Sequence, residues 1–327
     1  MEHPFAKYVR TLGKGKTGSR SLSREEAHDA MRMILHDEAE AVQIGAFLML
    51  LRVKEESAEE LAGFVEACRD YIGHAAQMPG KIDFDWSSYA GKRRQPHWFL
   101  LAALLLAQNQ YRVFMHGTRG HTEGRVYSED MLAQLGLPIA NSWHDTQIQL
   151  AERNFAFMPL QALCAPLQRL IELRGLFGLR SPVHTLCRLL NPLAAHTTLQ
   201  SVFHPAYAVT HHSAAQLLGE RHAVVYKGDA GEVEYRPHAR LKVFLLRQGV
   251  PLHIEITRRA QAPADTPVTA EVLRQSWEDA EESSYAAQAI IGSAAIALFA
   301  HVGEPDIETC FEQAATMWRA RGALAAG

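Results

Sequence analysis

The sequence predicts an all-α N-terminal domain followed by an α/β domain, on three observations. Capped, apolar helical periods fill roughly the first 75 residues, strand signals begin only after Pro79-Gly80, and from there short strand signals alternate with helical stretches. Such alternation is the pattern of a parallel sheet covered by helices. At 327 residues and 47% hydrophobic content, the chain can bury the core of two domains or of one large one.

Residues 1–78 form the helical domain. In "SREEAHDAMRMIL", Ser23 is followed three residues later by Glu26, a capping box that satisfies the first free N–H groups of a helix. Behind it, Ala27, Ala30, Met31, Ile34 and Leu35 recur at the spacing of one helix face. "AEAVQIGAFLMLLRV" and "SAEELAGFVEACRDYI" give two more helices, the latter with Ser57 and Glu60 as a second capping box. Ile44, Phe47, Leu48 and Leu51 exceed what a short helical domain is expected to bury alone, which predicts a homodimer through these helices.

Residues 79–327 form the α/β domain, with strands expected in "KIDFDW", "YRVFMHG", "HAVVYKG" and "LHIEIT". The stretch "APLQRLIELRGLFGLRSPVHTLCRLLNPL" reads as helical and basic, and residues 164–190, which overlap it, are expected to pack back on the first domain. "YAAQAIIGSAAIALFAHV" has the length of a minimal membrane span but no interfacial anchors, so it reads as a buried helix. No charged and apolar leader opens the chain, and Cys68, Cys164, Cys187 and Cys310 lie far apart without a CxxC pair. Reduced core thiols in a cytoplasmic protein with no membrane association are the expectation.

The net charge of −3 conceals strong segregation. Residues 1–20 carry Lys7, Arg10, Lys14, Lys16 and Arg20 against Glu2, and residues 86–125 hold six bases against Glu123. Residues 277–312 hold eight acids and no Lys or Arg. Local fields of this kind steer polyanions even to an acidic protein, although each cluster read singly is also what a solvated face looks like.

The densest basic run is "YAGKRRQPHW", where Lys92, Arg93 and Arg94 stand at a strand-to-helix junction ahead of "FLLAALLLA". The free N–H groups and dipole of a helix start favour an anion there. Trp86, Tyr89 and Trp98 flank the run and read either as base-stacking platforms or as core, with Trp98 the better fit to core. "GKGKTGS" lacks a preceding strand and has Arg10 where a Walker motif needs glycine, so it reads as a basic loop. Neither His116 with His121 nor His211 with His212 has the spacing of a helical metal-ligand pair, and no metal site is expected.

The segments "LSREEAHDAMRMILHDEAEAVQIGAFLMLLRVKEESAEELAGFVEA", "HGTRG", "GLRSPVHTLCRLLNPL" and "LLGERHAVVYKGDAGE" resemble the anthranilate phosphoribosyltransferase superfamily over nearly the whole chain. The resemblance implies the phosphoribosyltransferase fold of the anthranilate phosphoribosyltransferase and nucleoside phosphorylase type, with homodimers built through the helices. It also implies phosphoribosyl pyrophosphate and magnesium as ligands of the enzymes. Their pyrophosphate loop, GTGGDG, is glycine-rich so that backbone N–H groups can approach phosphate. Here the corresponding "DFDWSSYAGKRRQPHW" has Gly91 alone. Where the enzymes carry KHGNR this chain reads "MHGTR", with Met115 for lysine and Thr118 for asparagine, while His116, Gly117 and Arg119 remain. Where they carry an adjacent Asp-Glu pair for magnesium, "KGDAGEVEY" offers Asp229, Glu232 and Glu234, none adjacent, and their spacing argues against convergence on a cation. Arg180 matches an arginine that contacts the acceptor in the enzymes.

The run at residues 89–98 is similar to a divergent YbiB-type branch of that superfamily, described as nucleic-acid-binding homodimers without the parent activity. What this resemblance implies is a protein that binds DNA or RNA with little sequence preference, with no cofactor. Lys14, Lys16, Arg20, Lys92, Arg93, Arg94, Arg119, Arg125, Arg174, Arg180 and Arg188 are its expected phosphate contacts, with Arg169 in the same basic segment. His116, Gly117 and Asn191 are expected in a residual cleft. The alternative is a phosphoribosyltransferase that takes phosphoribosyl pyrophosphate and magnesium with an acceptor other than anthranilate.

Overall fold

The computed structural model describes residues 1–15, 17–73, 80–118, 120, 122–302 and 306–324. Four helices open the chain: α1 (Ala6–Gly13), α2 (Arg24–Leu35), α3 (Ala41–Lys54) and α4 (Ala58–Ile72). Both capping boxes form, Ser23 with Glu26 and Ser57 with Glu60, and each sets the first turn of its helix. Helices α2 and α4 pack closely because Gly63 has no side chain: a Cβ there would stand 2.2 Å from the Arg24 carbonyl oxygen.

The second part is a seven-stranded sheet with β1 (Phe84–Ser88), β2 (Val113–Gly117), β3 (Phe155–Pro159), β4 (Thr197–Ser201), β5 (His222–Tyr226), β6 (Leu241–Arg247) and β7 (Val250–Ile256), in the order β3-β2-β1-β4-β5-β6-β7. Strands β1 to β5 are parallel, but β6 and β7 run antiparallel, so the sheet is mixed where the sequence predicts a parallel one. Gln248 and Gly249, both at positive φ, make the two-residue turn that folds β7 back on β6. The stretch "LHIEIT" is thus a hairpin arm.

Alternation along the strands builds two cores. Val113 and Met115 of β2 face one layer, with helix α5 (Trp98–Gln108) and the helix Tyr285–Val302. Phe114 between them faces the other layer, made of α1 to α4 and residues 160–195. Leu167, Ile171, Val183, Leu186 and Leu190 of the basic segment share that layer with Phe47, Leu61 and Phe64. Arg69 ties it down by donating to the Leu189 and Leu190 carbonyls at 3.1 and 2.7 Å.

Phe47, Leu48 and Leu51 are buried within the single chain, which corrects the expectation that they exceed its core. The large apolar residues that α3 leaves exposed are Val42 and Val53, at 80% and 85%. Among the described residues, no helix is long and apolar enough to cross a membrane, and the four cysteines are buried and form no disulfide.

Candidate functional site

Strand β1 lies between β2 and β4, so the connections leave its two neighbours in opposite directions, and a crevice opens beyond the carboxyl ends of β1 and β4. The chain that leaves β1 there, Tyr89 to Lys92, turns inward. Gly91 sits at φ +70°, and a Cβ would press on the Val126 carbonyl and the Tyr127 ring at 3.0 and 3.1 Å. The N–H groups of Ala90 and Gly91 point the same way and donate to one oxygen of Glu232 at 2.7 and 2.6 Å. Lys92 exchanges backbone hydrogen bonds with Val126 at 2.8 and 2.9 Å, and its Nζ donates to Asp229 and Glu234. Glu234 also accepts from the Phe99 N–H at the start of α5, at 3.0 Å. Burial opposes the Lys92 charge, but Glu234 and Asp229 outweigh it and hold the ammonium above the ordinary lysine range.

Around this loop the arginines divide into two kinds. Arg125 donates to the carbonyls of Ala90, Gly91 and Ala230 at 2.9 to 3.2 Å, and Arg188 to those of Ser201 and His184 at 2.9 and 2.7 Å. These clamp backbone. Arg174 and Arg180 both donate to the Thr122 hydroxyl, the latter at 3.5 Å. Burial, followed by the positive charges of Arg188, Arg125 and Arg174, pulls Arg180 down to about 10. Arg93 and Arg94 are exposed and line a cavity of about 460 Å³ with Arg125, Phe203, Asp229 and Asp265.

The structure therefore gathers Arg93, Arg94, Arg125, Arg174 and Arg180 about residues 122–126 and the crevice mouth. Several expected contacts lie elsewhere. Lys92 is wholly buried in its carboxylate pair and cannot reach a phosphate in solution. Arg188 is 7% exposed and held by carbonyls. Arg20 forms a two-pronged pair with Glu26 and Arg169 pairs with Asp37, both on the helical domain, while Lys14 is exposed after α1. Lys16 and Arg119 fall outside the described residues.

The residual cleft is not assembled as expected. His116 is buried between Asp85 at 3.2 Å and the Tyr89 hydroxyl at 2.6 Å, and Gly117 packs where a Cβ would meet the Ser88 carbonyl at 2.2 Å. Asn191 precedes β4, at the opposite end of the sheet, and binds Glu220 at 3.0 Å. Met115, Trp86, Tyr89 and Trp98 are core. The exposed aromatic of the crevice is Phe203, which sequence reasoning missed because nothing around it marks it as uncovered.

Residues 6–72 match the family described as "Glycosyl transferase family, helical bundle domain", and residues 99–316 match "Glycosyl transferase family, a/b domain". The chain belongs to this family. Among its relatives, the uncharacterized protein YbiB of Escherichia coli is 30% identical over 250 residues, 75% of this chain and 78% of its own. The anthranilate phosphoribosyltransferase of Oleidesulfovibrio alaskensis is 31% identical over 80% of this chain and 76% of its own. The fold is that of anthranilate phosphoribosyltransferase from Thermus thermophilus, with TM-score 0.81 at 21% identity over 97% of this chain and 94% of the other. The Saccharomyces cerevisiae enzyme, solved with PRPP and Mg, gives 0.80 at 16% identity over 98% and 94%.

A pyrophosphate held by backbone needs free N–H donors, and a hard cation such as magnesium needs free carboxylates, and the residues here do not fit them. Glu232 already takes the Ala90 and Gly91 N–H groups. Asp229 and Glu234 do converge, against the expectation from their spacing, but they converge on Lys92.

Proposed function

We propose that this glycosyl transferase family member binds nucleic acid, DNA or RNA, through backbone phosphates and with little sequence preference, as a homodimer joined through α3 and without phosphoribosyl transfer. The observation that carries the reading is the set of arginines at the crevice mouth. Arg93 and Arg94 project into solvent and enter no ion pair among the described residues, and Arg180 faces three other arginines, with one long hydrogen bond to Thr122. Arg93 and Arg94, exposed beside Arg125 and Arg180, present guanidinium forks that suit an anion with several oxygens, and a chain of phosphates supplies one to each fork. Phe203, 45% exposed beside them, offers a ring on which an unpaired base can stack.

The competing reading, phosphoribosyl transfer to another acceptor, is supported by the relatives that are anthranilate phosphoribosyltransferases. It requires both Glu232 and Lys92 to leave their partners. Titration with labelled single- and double-stranded DNA, beside calorimetry with phosphoribosyl pyrophosphate and magnesium, separates the two. The proposal expects saturable DNA binding and no heat from phosphoribosyl pyrophosphate, and the reverse pattern would overturn it.

A further inference from the structure

Asp229 and Glu234 stand at the two ends of one short loop and close on a side chain brought from the far side of the crevice. Lys92 is wholly buried, and its backbone is pinned to Val126 on both its N–H and its carbonyl, so the stem has one course to follow. Glu234 is 1% exposed, whereas Asp229 is 22% exposed and borders the cavity lined by Arg93 and Arg94. Without the lysine, two carboxylates would face each other below an opening to water. That is the donor set a hard divalent cation takes: carboxylate oxygens from the protein and water for the remaining positions. A buried carboxylate must either take up a proton or meet a counter-charge, and here the chain provides the charge. The neighbouring nest is filled in the same manner, with the Glu232 carboxylate on the Ala90 and Gly91 N–H groups where a dissolved anion would otherwise sit.

We infer that the Lys92 ammonium is a built-in replacement for a divalent cation, so that this loop is a metal site closed by the chain's own charge, and that removing the lysine side chain reopens it to Mn²⁺ or Mg²⁺. The inference stands independently of what the arginines bind.

The test is thermal unfolding and Mn²⁺ electron paramagnetic resonance on the full-length wild type, on Lys92→Ala, and on Lys92→Ala/Asp229→Asn/Glu234→Gln. Wild type should hold no Mn²⁺ and melt at the same temperature with or without millimolar Mn²⁺. Lys92→Ala should melt lower than wild type, bind one Mn²⁺ per chain, and regain about 5 °C or more as the metal is added. The triple variant, whose carboxamides need no counter-ion, should fold and ignore the metal. A Lys92→Ala protein indifferent to Mn²⁺, or equal responses in wild type or the triple variant, would overturn the inference. Should Lys92→Ala be insoluble alone, refolding only with Mn²⁺ supports the site. Failure to refold even with the metal, while the triple variant folds, refutes it.

Discussion

Arg188 donates to the Ser201 and His184 carbonyls from a buried position, whereas Arg180, eight residues earlier, has one weak hydrogen bond and three arginine neighbours. Arg188→Ala should therefore lower stability by about 2–4 kcal/mol, since it strands buried carbonyls and removes a positive charge that faces Glu232. Arg180→Ala should leave stability unchanged or slightly raised and should weaken DNA binding. Urea unfolding beside fluorescence anisotropy checks both, and an Arg180→Ala protein that binds at full strength would remove that residue from the interface. Histidines give a second expectation at this scale. Burial, then Lys92 for His97 and Arg188 for His211, holds both imidazoles down at about 3, and burial with His196 holds His301 at about 4. In the unfolded chain these groups take up protons near pH 6.5, so the unfolded state binds more protons below that pH. Stability is then full above pH 6.5 and falls as the pH drops towards 4, by about 1.4 kcal/mol per pH unit for each group still neutral. Equal urea midpoints at pH 7 and pH 5 would contradict this.

Helix α3 is the element whose surface asks for a partner. Val42 and Val53 lie almost fully in solvent at its two ends, while Phe47, Leu48 and Leu51 between them are sealed in the chain's own core. Light scattering at micromolar concentration should give a dimer mass for wild type and a monomer mass for Val42→Glu/Val53→Glu, with the melting of the helical core preserved. A monomeric wild type would exclude the α3 dimer. The helices were legible because their caps are local: Ser23 with Glu26 and Ser57 with Glu60 announce the turn they build. Three strands were not. Strand β4, "TTLQS", is buried on both faces yet polar, so no apolar run marks it, and β3 follows its helix through Asn154 in the left-handed region without a glycine or proline break. In β6, "LKVFLLR", the apolar run suits a helix as well as a strand. The site was legible only in part for the same reason. "KRR" reads as three equal cations, but the carboxylates that draw Lys92 inward lie about 140 residues downstream, and only the fold brings them there.

Across the whole molecule, a net charge of −3 coexists with an arginine-lined crevice, because acids and bases occupy different parts of the chain. A field arranged in this way attracts a polyanion locally, and its strength falls with salt. The resemblance to the superfamily predicts the fold from sequence, since helix order and core pattern persist at low identity, as the TM-score of 0.81 at 21% identity illustrates. It does not predict which ligands the crevice accepts, because those depend on where individual side chains turn. The most direct measurement of the proposed function is the salt dependence of DNA and RNA affinity for wild type and for Arg93→Glu/Arg94→Glu, with Lys92 left intact because it holds the fold. Phosphate contacts release condensed counter-ions, so log K should fall linearly with log salt, by about 0.7–0.9 in slope for each contact. Wild type should show a steep slope, and the double variant should be folded, weaker on all sequences alike, and shallower by about two contacts. An affinity that does not change between low and moderate salt, or a folded double variant that binds as tightly as wild type, would contradict the account.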